Sequence, residues 1–283
     1  MYINNDWKEY TLIDATQGYR LERWGDVVLA RPDPQVIWNM PQEHSKWQGF
    51  DGKYVRQGGG GNWVWSGQTR AAWHINYRNL KFLIKPTDFK HTGLFPEQAV
   101  NWDRIDELIK AHGSSVNLLN LFAYTGGATV AAAAAGAHVT HVDAAKGMVA
   151  QARQNAELSG LSNAPIRWIV DDCGKYVARE IKRGVRYDAI ILDPPSYGRG
   201  PSGEVWKLED NLYDFLVGCR PVLSDNPCFV LLNTYTTGLS PSVMESMLRA
   251  VLGKGRTESG ELGLPIKSRD IILPAGASAW WRP

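Results

Sequence analysis

From about residue 96 onward, short apolar runs alternate with longer stretches that carry an apolar face at helical spacing. The apolar runs are bounded by turn residues and predict buried strands at 116–122, 137–143, 165–170, 188–192 and 227–233. The stretches around them predict helices at 96–113, 127–135, the residues leading up to 158, 175–182, 209–223 and 241–252. Residues 257–262 and 270–275 are interpreted as a closing pair of strands. Strands that alternate with helices in this way indicate a doubly wound α/β sheet.

Residues 1–95 show a different, β-rich pattern. The run 21–34 predicts a strand, a Gly-Asp turn and a second strand that ends at prolines. The four glycines at 58–61 indicate a mobile loop or the tip of a hairpin, and 73–84 contains further strand-like runs. We therefore expect two domains, a small β-rich module facing the substrate at 1–95 and a sheet domain at 96–283.

The most informative chemistry lies in the run DAIILDPPSYG, at 188–198. An uninterrupted apolar run that ends at breakers is typical of a central parallel strand, and ligands of such sheets bind past the carboxyl ends of the strands. Asp193 and the carbonyl of Pro194 could orient an amino group there, and Tyr197 could stack on a flat base. The alternative interpretation is an ordinary strand end that is stopped by two prolines.

Three other predicted strand ends suit a nucleoside. The first strand runs into FAYTGG (122–127), where paired glycines let a ligand approach the backbone. This turn matches neither GxGxxG nor GxxxxGK[ST], which favours a cofactor without phosphate. Asp143 ends the second strand and can accept both ribose hydroxyls, and DDC (171–173) ends the third, where a carboxylate can accept an adenine amino group. Each acid alone is more often a helix cap, but together with Asp193 they outline a pocket for S-adenosylmethionine.

The longer motifs resemble one family of class I S-adenosylmethionine-dependent methyltransferases. They are HTGLFPEQAVNW, NLFAYTGGATVAAAAAGAHVTHVDAAKG, ARQNAELSGL, PIRWIVDDCGKYV and YDAIILDPPSYGRGPSGEVWKLE. The family contains the large-subunit rRNA methyltransferases that modify cytosine C5 or guanine N7, and the similarity covers about residues 85–283. It implies a Rossmann-like, seven-stranded methyltransferase sheet and methyl transfer as the activity. It also implies S-adenosyl-L-methionine as the cofactor and S-adenosyl-L-homocysteine as the product.

The resemblance further implies which residues contact the cofactor, and the FPEQ run adds two that no strand end indicates. The predicted cofactor-binding residues are Phe95, Gln98, Phe122, Tyr124, Thr125, Gly126, Asp143, Ala144, Asp171, Asp172, Cys173 and Asp193. The predicted catalytic residues are Asp193, Pro194 and Tyr197.

The cysteines bear on which atom is methylated. Methylation of cytosine C5 needs a nucleophile that adds to C6, and a thiol suits this step because thiolate forms near neutral pH. The C5 members of the family carry a cysteine just past the fifth strand, where this chain has NTYTTG (233–238). Cys173, Cys219 and Cys228 are interpreted as structural, which disfavours C5. A base nitrogen can attack the sulfonium methyl directly, although here Ser196 separates the prolines from the aromatic residue that usually follows them in amino methyltransferases.

Charge distribution points to a partner. The net charge is only +2, yet residues 51–95 hold seven Lys or Arg against two acids. The aromatic residues interleaved with them are Tyr54, Trp63, Trp65, Trp73 and Tyr77. Such a mixture suits a partner with phosphates and flat bases, such as RNA. A Trp-rich β module with a solvated basic face is the alternative.

Composition places the protein in a cell compartment. The three cysteines are odd in number and lack metal-ligand spacing, which fits a reducing cytosol and no metal site. The sequence shows neither a signal-peptide pattern nor an apolar run of membrane-spanning length. We therefore expect a cytoplasmic methyltransferase that acts on RNA, with an rRNA base favoured. The alternatives are a small-molecule or protein methyltransferase and a non-catalytic RNA-binding protein that keeps the fold.

Overall fold

The structure, a computed structural model, describes residues 1–58, 60–87, 90–199, 205–236 and 238–283, and of Arg199 only the backbone. Gly59, Asp88, residues 200–204 and Thr237, which belong to segments discussed above, lie outside the described residues. The chain forms two compact units: the sheet unit (Val100–Leu262 and Gly276–Pro283) and the β unit (Tyr2–Ala99 and Gly263–Ala275). The sequence pattern puts 263–275 in the second domain, whereas in the structure this segment belongs with the N-terminal residues.

The secondary structure follows the predicted order. The helices are α1 (Ala99–Ala111), α2 (Gly127–Ala134), α3 (Lys146–Leu158), α4 (Cys173–Lys182), α5 (Leu208–Cys219) and α6 (Pro241–Leu252). The strands are β1 (Tyr2–Ile3), β2 (Tyr10–Thr16), β3 (Tyr19–Trp24), β4 (Val27–Pro32), β5 (Gly52–Gln57), β6 (Gly60–Trp65), β7 (Trp73–Tyr77), β8 (Leu80–Ile84), β9 (Asn117–Leu121), β10 (His138–Asp143), β11 (Ile166–Val170), β12 (Ala189–Leu192), β13 (Tyr197–Arg199), β14 (Val205–Lys207), β15 (Phe229–Thr234), β16 (Arg256–Pro265) and β17 (Ile272–Arg282). In the described part of the chain, no helix is long and apolar enough to cross a membrane.

Within the sheet unit, the strands of the large sheet have the order β16-β17-β15-β12-β9-β10-β11. Strands β9, β10, β11, β12 and β15 run parallel to their neighbours in this group, and β17 is antiparallel to β15. The chain moves outward from β9 through β10 to β11 and then returns to β12 on the other side of β9. The order therefore reverses between β9 and β12, and in open α/β sheets this is where a crevice opens past the strand ends. The predicted fold class is confirmed.

The central strands are buried on both faces, as their uninterrupted apolar runs predict. Every residue of β12 is buried. Ile190 and Leu192 belong to the core that includes Leu212 of α5, whereas Ala189 and Ile191 belong to the core that includes Ile105 of α1. The alternation has a period of two, so consecutive side chains serve opposite layers of helices.

The β unit contains a five-stranded sheet and a separate hairpin. The sheet has the order β2-β3-β4-β5-β6, in which only the β4–β5 pair is parallel. The predicted turn in 21–34 joins β3 to β4 and has Gly25 in the left-handed region at φ +67°. Strands β5 and β6 pair as far as Gln57 with Gly60, so Gly60 and Gly61 belong to β6. The strand-like run 73–84 forms the hairpin β7–β8.

The C-terminal segment of the β unit, Gly263–Ala275, is hydrogen-bonded to β2. The N–H groups of Lys267 and Ser268 donate to the carbonyls of Leu12 and Ile13, at 2.9 and 3.0 Å. Arg269 donates to both carboxylate oxygens of Asp14, at 2.6 and 3.2 Å, and Asp14 is only 1% exposed. These bonds meet β2 where its register with β3 shifts. The β unit is therefore built from two distant stretches of sequence.

Candidate active site

The turn after β9 has an unusual backbone. Phe122, Tyr124 and Gly126 have φ values of 57°, 50° and 79°, in the left-handed region. This region is easy for glycine but costs about 1–2 kcal/mol for a residue with a Cβ atom. Neighbouring groups must therefore hold Phe122 and Tyr124 in place, and strained backbone of this kind is often found at ligand sites.

Asp143 fixes this turn to the end of β10. Its Oδ2 accepts the N–H of Tyr124 at 2.8 Å, and its Oδ1 accepts the N–H of Ala145 at 2.8 Å. Burial raises the pKa of Asp143, against the opposing effect of these two hydrogen bonds. Each carboxylate oxygen can accept more than one hydrogen bond, so both retain capacity for a hydroxyl group.

Helix α3 packs against the same turn and is hydrogen-bonded to it. The buried Asn155 donates from Nδ2 to the carbonyl of Thr125 at 2.8 Å. A Cβ atom on Gly126 would lie 2.8 Å from the Cβ of Ala152, and one on Gly127 would lie 2.8 Å from the Trp102 ring. The paired glycines thus have a packing role that sequence reasoning, which assigned them to ligand approach, does not supply.

The structure places the predicted strand ends along one edge of the sheet. The N–H of Asp193 donates to the carbonyl of Leu121 at 3.4 Å, and the N–H of Ala123 donates to the carbonyl of Val142 at 3.1 Å. The N–H of Asp171 donates to the carbonyl of Asp143 at 3.1 Å. Backbone hydrogen bonds therefore join the ends of β12, β9, β10 and β11 in that order.

Each residue of the DDC run at the end of β11 makes a different contact. Asp171 forms an ion pair with Arg179, which neutralises its charge. Asp172 is exposed and caps α4, because its Oδ1 accepts the N–H of Lys175 at 2.8 Å. Cys173 is buried, and its sulfur accepts the N–H of Phe122 at 3.3 Å. Of the two acids, the exposed Asp172 is the one suited to meet a ligand.

The loop after β12 continues into a hairpin that the sequence does not predict. Tyr197 and Lys207 form a pair across β13 and β14, and the Tyr197 side chain is 52% exposed. Ser196 bonds through its Oγ to Oγ1 of Thr236 at 2.5 Å, and its carbonyl accepts the N–H of Leu208 at 3.0 Å. Pro194 is buried. Of the predicted catalytic residues, Asp193 and Pro194 therefore lie at the start of a short loop and Tyr197 lies at its end. The hydrogen bonds of Ser196 hold this loop in place.

Trp206 is a residue of this region that sequence reasoning missed. Its ring lies 5.5 Å from that of Phe122 and 5.6 Å from that of Phe215, between ring centroids. Its Nε1 donates to the carbonyl of Pro195 at 2.7 Å. The available signal is that Trp206 belongs to the YDAIILDPPSYGRGPSGEVWKLE run, one of the motifs that carry the family resemblance.

Comparisons with known proteins identify the family to which this chain belongs. Residues 44–212, more than half of the chain, match the profile of a family described as S-adenosylmethionine-dependent methyltransferase. The chain belongs to this family. A SAM-dependent methyltransferase from Agrobacterium tumefaciens has a similar crystal structure, with a TM-score of 0.94, 36% identity and coverage of 99% of this chain and 92% of that chain.

Two further relatives of the methyltransferase carry more specific names. Ribosomal RNA large subunit methyltransferase K/L of Shewanella frigidimarina is 34% identical over 148 residues, which is 52% of this chain and 20% of that protein. Ribosomal RNA large subunit methyltransferase I of Aeromonas salmonicida is 32% identical over 124 residues, 44% of this chain and 30% of that protein. The chain therefore spans less than a third of the length of either relative.

The residues at the sheet edge fit the cofactor of the family, S-adenosylmethionine. The Asp143 carboxylate is an acceptor for hydroxyl groups, and the adjoining turn lacks the glycine pattern of a pyrophosphate cradle. A methyltransferase-fold protein with a TM-score of 0.75 and 21% identity was crystallised with the product S-adenosylhomocysteine. Ala144, also predicted at this site, is exposed beside Asp143. Among the described residues, no three His, Cys, Asp or Glu side chains are grouped to hold a metal ion.

The FPEQ run lies in the β unit, where it has contacts of its own. Phe95 is half-buried and Gln98 is 7% exposed. Between them, Glu97 is 3% exposed, and burial raises its pKa to about 7, against the influence of Arg20. This run therefore has a structural role in the β unit in addition to any contact with the cofactor.

The methyltransferase holds its cysteines in unreactive positions. Cys173, Cys219 and Cys228 are all buried and free of disulfides. Burial raises the pKa of Cys219 to about 12 and that of Cys228 to about 11, and it raises the pKa of Cys173 further above its ordinary value. None of these thiols is poised as a thiolate near neutral pH, which supports their interpretation as structural.

A groove of about 350 Å³ lies at the opposite edge of the sheet unit. It is lined by residues at the starts of β9, β10 and β11, including Asn117, His138 and Arg167. Ligands of open α/β sheets bind at the carboxyl ends of the strands, so this groove is separate from the site described above.

Proposed function

We propose that the methyltransferase transfers a methyl group to a nitrogen atom of an RNA base, with rRNA as the favoured substrate. The observation that supports nitrogen over C5 is the state of the cysteines. All three thiols are buried and protonated at neutral pH, so the covalent addition that C5 chemistry requires has no nucleophile of that type. A nitrogen acceptor needs orientation and the removal of water.

The loop after β12 is suited to orient such an acceptor. S-adenosylmethionine supplies a methyl group on a positively charged sulfur, which a nitrogen lone pair can attack. In this proposal Asp193 and the carbonyl of Pro194, at the end of β12, accept hydrogen bonds from an amino group, and the neighbouring carbonyl of Pro195 accepts the indole N–H of Trp206. In this proposal Tyr197, with its exposed ring, covers the face of the base.

Cofactor binding is assigned to the sheet edge. Asp143 accepts the ribose hydroxyls, Asp172 accepts the adenine amino group, and the backbone of the turn at 122–126 adjoins the sulfur end. Phe95 and Gln98 are included because of the resemblance in the FPEQ run. Asp171 and Cys173 are assigned an indirect role next to the cofactor, because the Asp171 carboxylate pairs with Arg179 and the Cys173 sulfur accepts the N–H of Phe122.

RNA as the substrate is supported by the relatives and by the β unit. The relatives are named for ribosomal RNA, although the match covers a minor part of their length. In the β unit, Trp63 and Trp65 stack at 5.9 Å, and Lys53 lies over the Tyr19 ring at 4.7 Å. Exposed Arg56 adds positive charge on β5. We assign residues 1–95 the role of contacting RNA and the protein to the cytoplasm, where reduced thiols persist.

Transfer of labelled methyl from S-adenosylmethionine tests the proposal. RNA, ribosomal subunits and protein extract are prepared from cells that lack the gene, and wild-type enzyme is compared with Asp193→Ala. The expected result is label in rRNA that is lost with the variant and that nucleoside analysis assigns to a base nitrogen. Label on C5 would contradict the chemistry, and label confined to protein or small molecules would contradict the substrate.

A further inference from the structure

The turn that follows β9 and the loop that follows β12 are joined by one side chain. Trp206 packs its ring against Phe122, at 5.5 Å between centroids, and donates its indole N–H to the carbonyl of Pro195, at 2.7 Å. Phe215 of α5 completes the cluster, at 5.4 Å from Phe122 and 5.6 Å from Trp206. The two connected segments lie on either side of the point where the strand order reverses.

The backbone at each end of this connection has further contacts. Phe122 has a left-handed backbone at φ 57°, and its N–H is bound by the buried sulfur of Cys173. Pro195 has a ring that fixes its φ, and the next residue is tied to Thr236 and Leu208. The Phe122 ring and the Pro195 carbonyl therefore share one intermediary, the indole of Trp206.

We propose that Trp206 is a positioning residue that couples the cofactor side of the site to the acceptor side. Occupancy of the cofactor turn fixes Phe122, Phe122 fixes the Trp206 ring, and the indole N–H sets the orientation of the loop that holds Asp193 and Pro194. The assignment of that loop to the acceptor rests on the proposed function. Because coupling between sites is reciprocal, an acceptor bound at the loop also strengthens cofactor binding.

Hydrogen–deuterium exchange with S-adenosylhomocysteine as the probe tests the coupling without a methyl acceptor. In the wild type, the product should slow exchange in peptides that cover β13 and β14 about fivefold, the factor expected from roughly one net hydrogen bond. Trp206→Phe keeps a ring but loses the N–H, and it should lose most of this protection. Trp206→Ala should lose all of it. In both variants the Kd for the product should rise by no more than about fivefold, because linkage limits the loss of affinity to the coupling that the substitution removes.

Trp38→Phe is the matched control. Trp38 lies in the β unit and donates from Nε1 to the carbonyl of Ala15 at 2.6 Å, so the substitution removes a comparable hydrogen bond elsewhere. It should leave the protection of β13 and β14 unchanged.

The outcomes separate this inference from the proposed function. Full product-dependent protection in Trp206→Ala, or no protection in the wild type when the product is bound, would overturn the coupling. Failure of the wild type to bind the product would refute the cofactor assignment as well. If RNA proves to be the wrong acceptor, the exchange result still decides the coupling. With a working acceptor, Trp206→Phe should lower kcat and remove the strengthening of cofactor binding by the bound acceptor.

Discussion

At the scale of the residue, the proposed cofactor site includes a carboxylate that is partly buried and that accepts two backbone N–H groups. Asp143 accepts one N–H on each oxygen, from Tyr124 and Ala145, and burial still raises its pKa. A hydroxyl that binds to Asp143 therefore meets an acceptor with little competing water. An amide at this position would have only one acceptor oxygen.

Asp143→Asn should weaken binding of S-adenosylhomocysteine by tenfold or more, roughly the 1–3 kcal/mol expected when a buried donor loses its partner. The variant turns an NH2 group toward one of the two backbone donors. In the wild type, affinity should fall as the pH is lowered through the raised pKa, because the protonated carboxyl loses acceptor capacity, and Asp143→Asn should remove this dependence. Titration calorimetry across the acidic range measures both effects.

Asp188→Asn is the matched control for that measurement. Asp188 also accepts a backbone N–H, from Asn117 at 2.8 Å, but it lies at the amino edge of the sheet. Its substitution should leave affinity for the product unchanged. Equal losses in the two variants would show that Asp143 acts only through the stability of the fold.

At the scale of the element, the turn between β9 and α2 is shaped by its packing against α3. Gly126 has a left-handed backbone and also lies close to α3. Gly160, just after the end of α3, has a left-handed backbone at φ +76°, but a Cβ atom at this position would have no other atom within 4 Å. The two glycines therefore share the backbone requirement and differ in packing. This pair allows the two contributions to be measured separately.

Gly160→Ala should lower the free energy of unfolding by about 1 kcal/mol, the cost of a left-handed alanine. Gly126→Ala should lower it by a further 1–3 kcal/mol or so, because the new methyl group must displace Ala152. It should also weaken product binding, whereas Gly160→Ala should not. Urea denaturation and calorimetry provide the comparison, and equal losses of stability would contradict the packing role.

At the scale of the whole molecule, the β unit is discontinuous in sequence. Asp14 is buried near the start of the chain and is paired with Arg269 near its end. Burial alone would raise the pKa of Asp14, but hydrogen bonds from Arg269 and Trp47 lower it. The ionised carboxylate therefore adds stability above its ordinary pKa, and this contribution is lost as the pH falls.

Arg269→Ala should lower the free energy of unfolding by about 3–5 kcal/mol at neutral pH, since it leaves a buried charge uncompensated. The loss should shrink as the pH is lowered and Asp14 takes up a proton. Lys267→Ala, which changes an exposed side chain in the same segment, should cost under about 0.5 kcal/mol. Denaturation at neutral and acidic pH tests this, and a small, pH-independent effect of Arg269→Ala would contradict it.

The sequence predicts the features that have a short-range signal. Apolar runs and helical spacing locate β9 to β12 and the helices between them, and parallel topology then puts Asp143 and Asp193 on one edge. The hairpin with Trp206 was missed because its packing on Phe122 joins residues far apart in sequence. The same holds for Arg269 and Asp14. Which of two adjacent acids caps α4 depends on the backbone angles of Asp172, which composition does not reveal.

The pairing of Arg269 with Asp14 also has a consequence for synthesis. The two residues are 255 positions apart. A ribosome adds roughly 5–20 residues per second, so Asp14 is made roughly 13–50 s before its partner. During that interval β2 has Trp47 as a contact for its buried acid but not the arginine. The β unit is therefore completed only after most of the sheet unit has been made, and until then the nascent chain presents an unfinished β unit to chaperones.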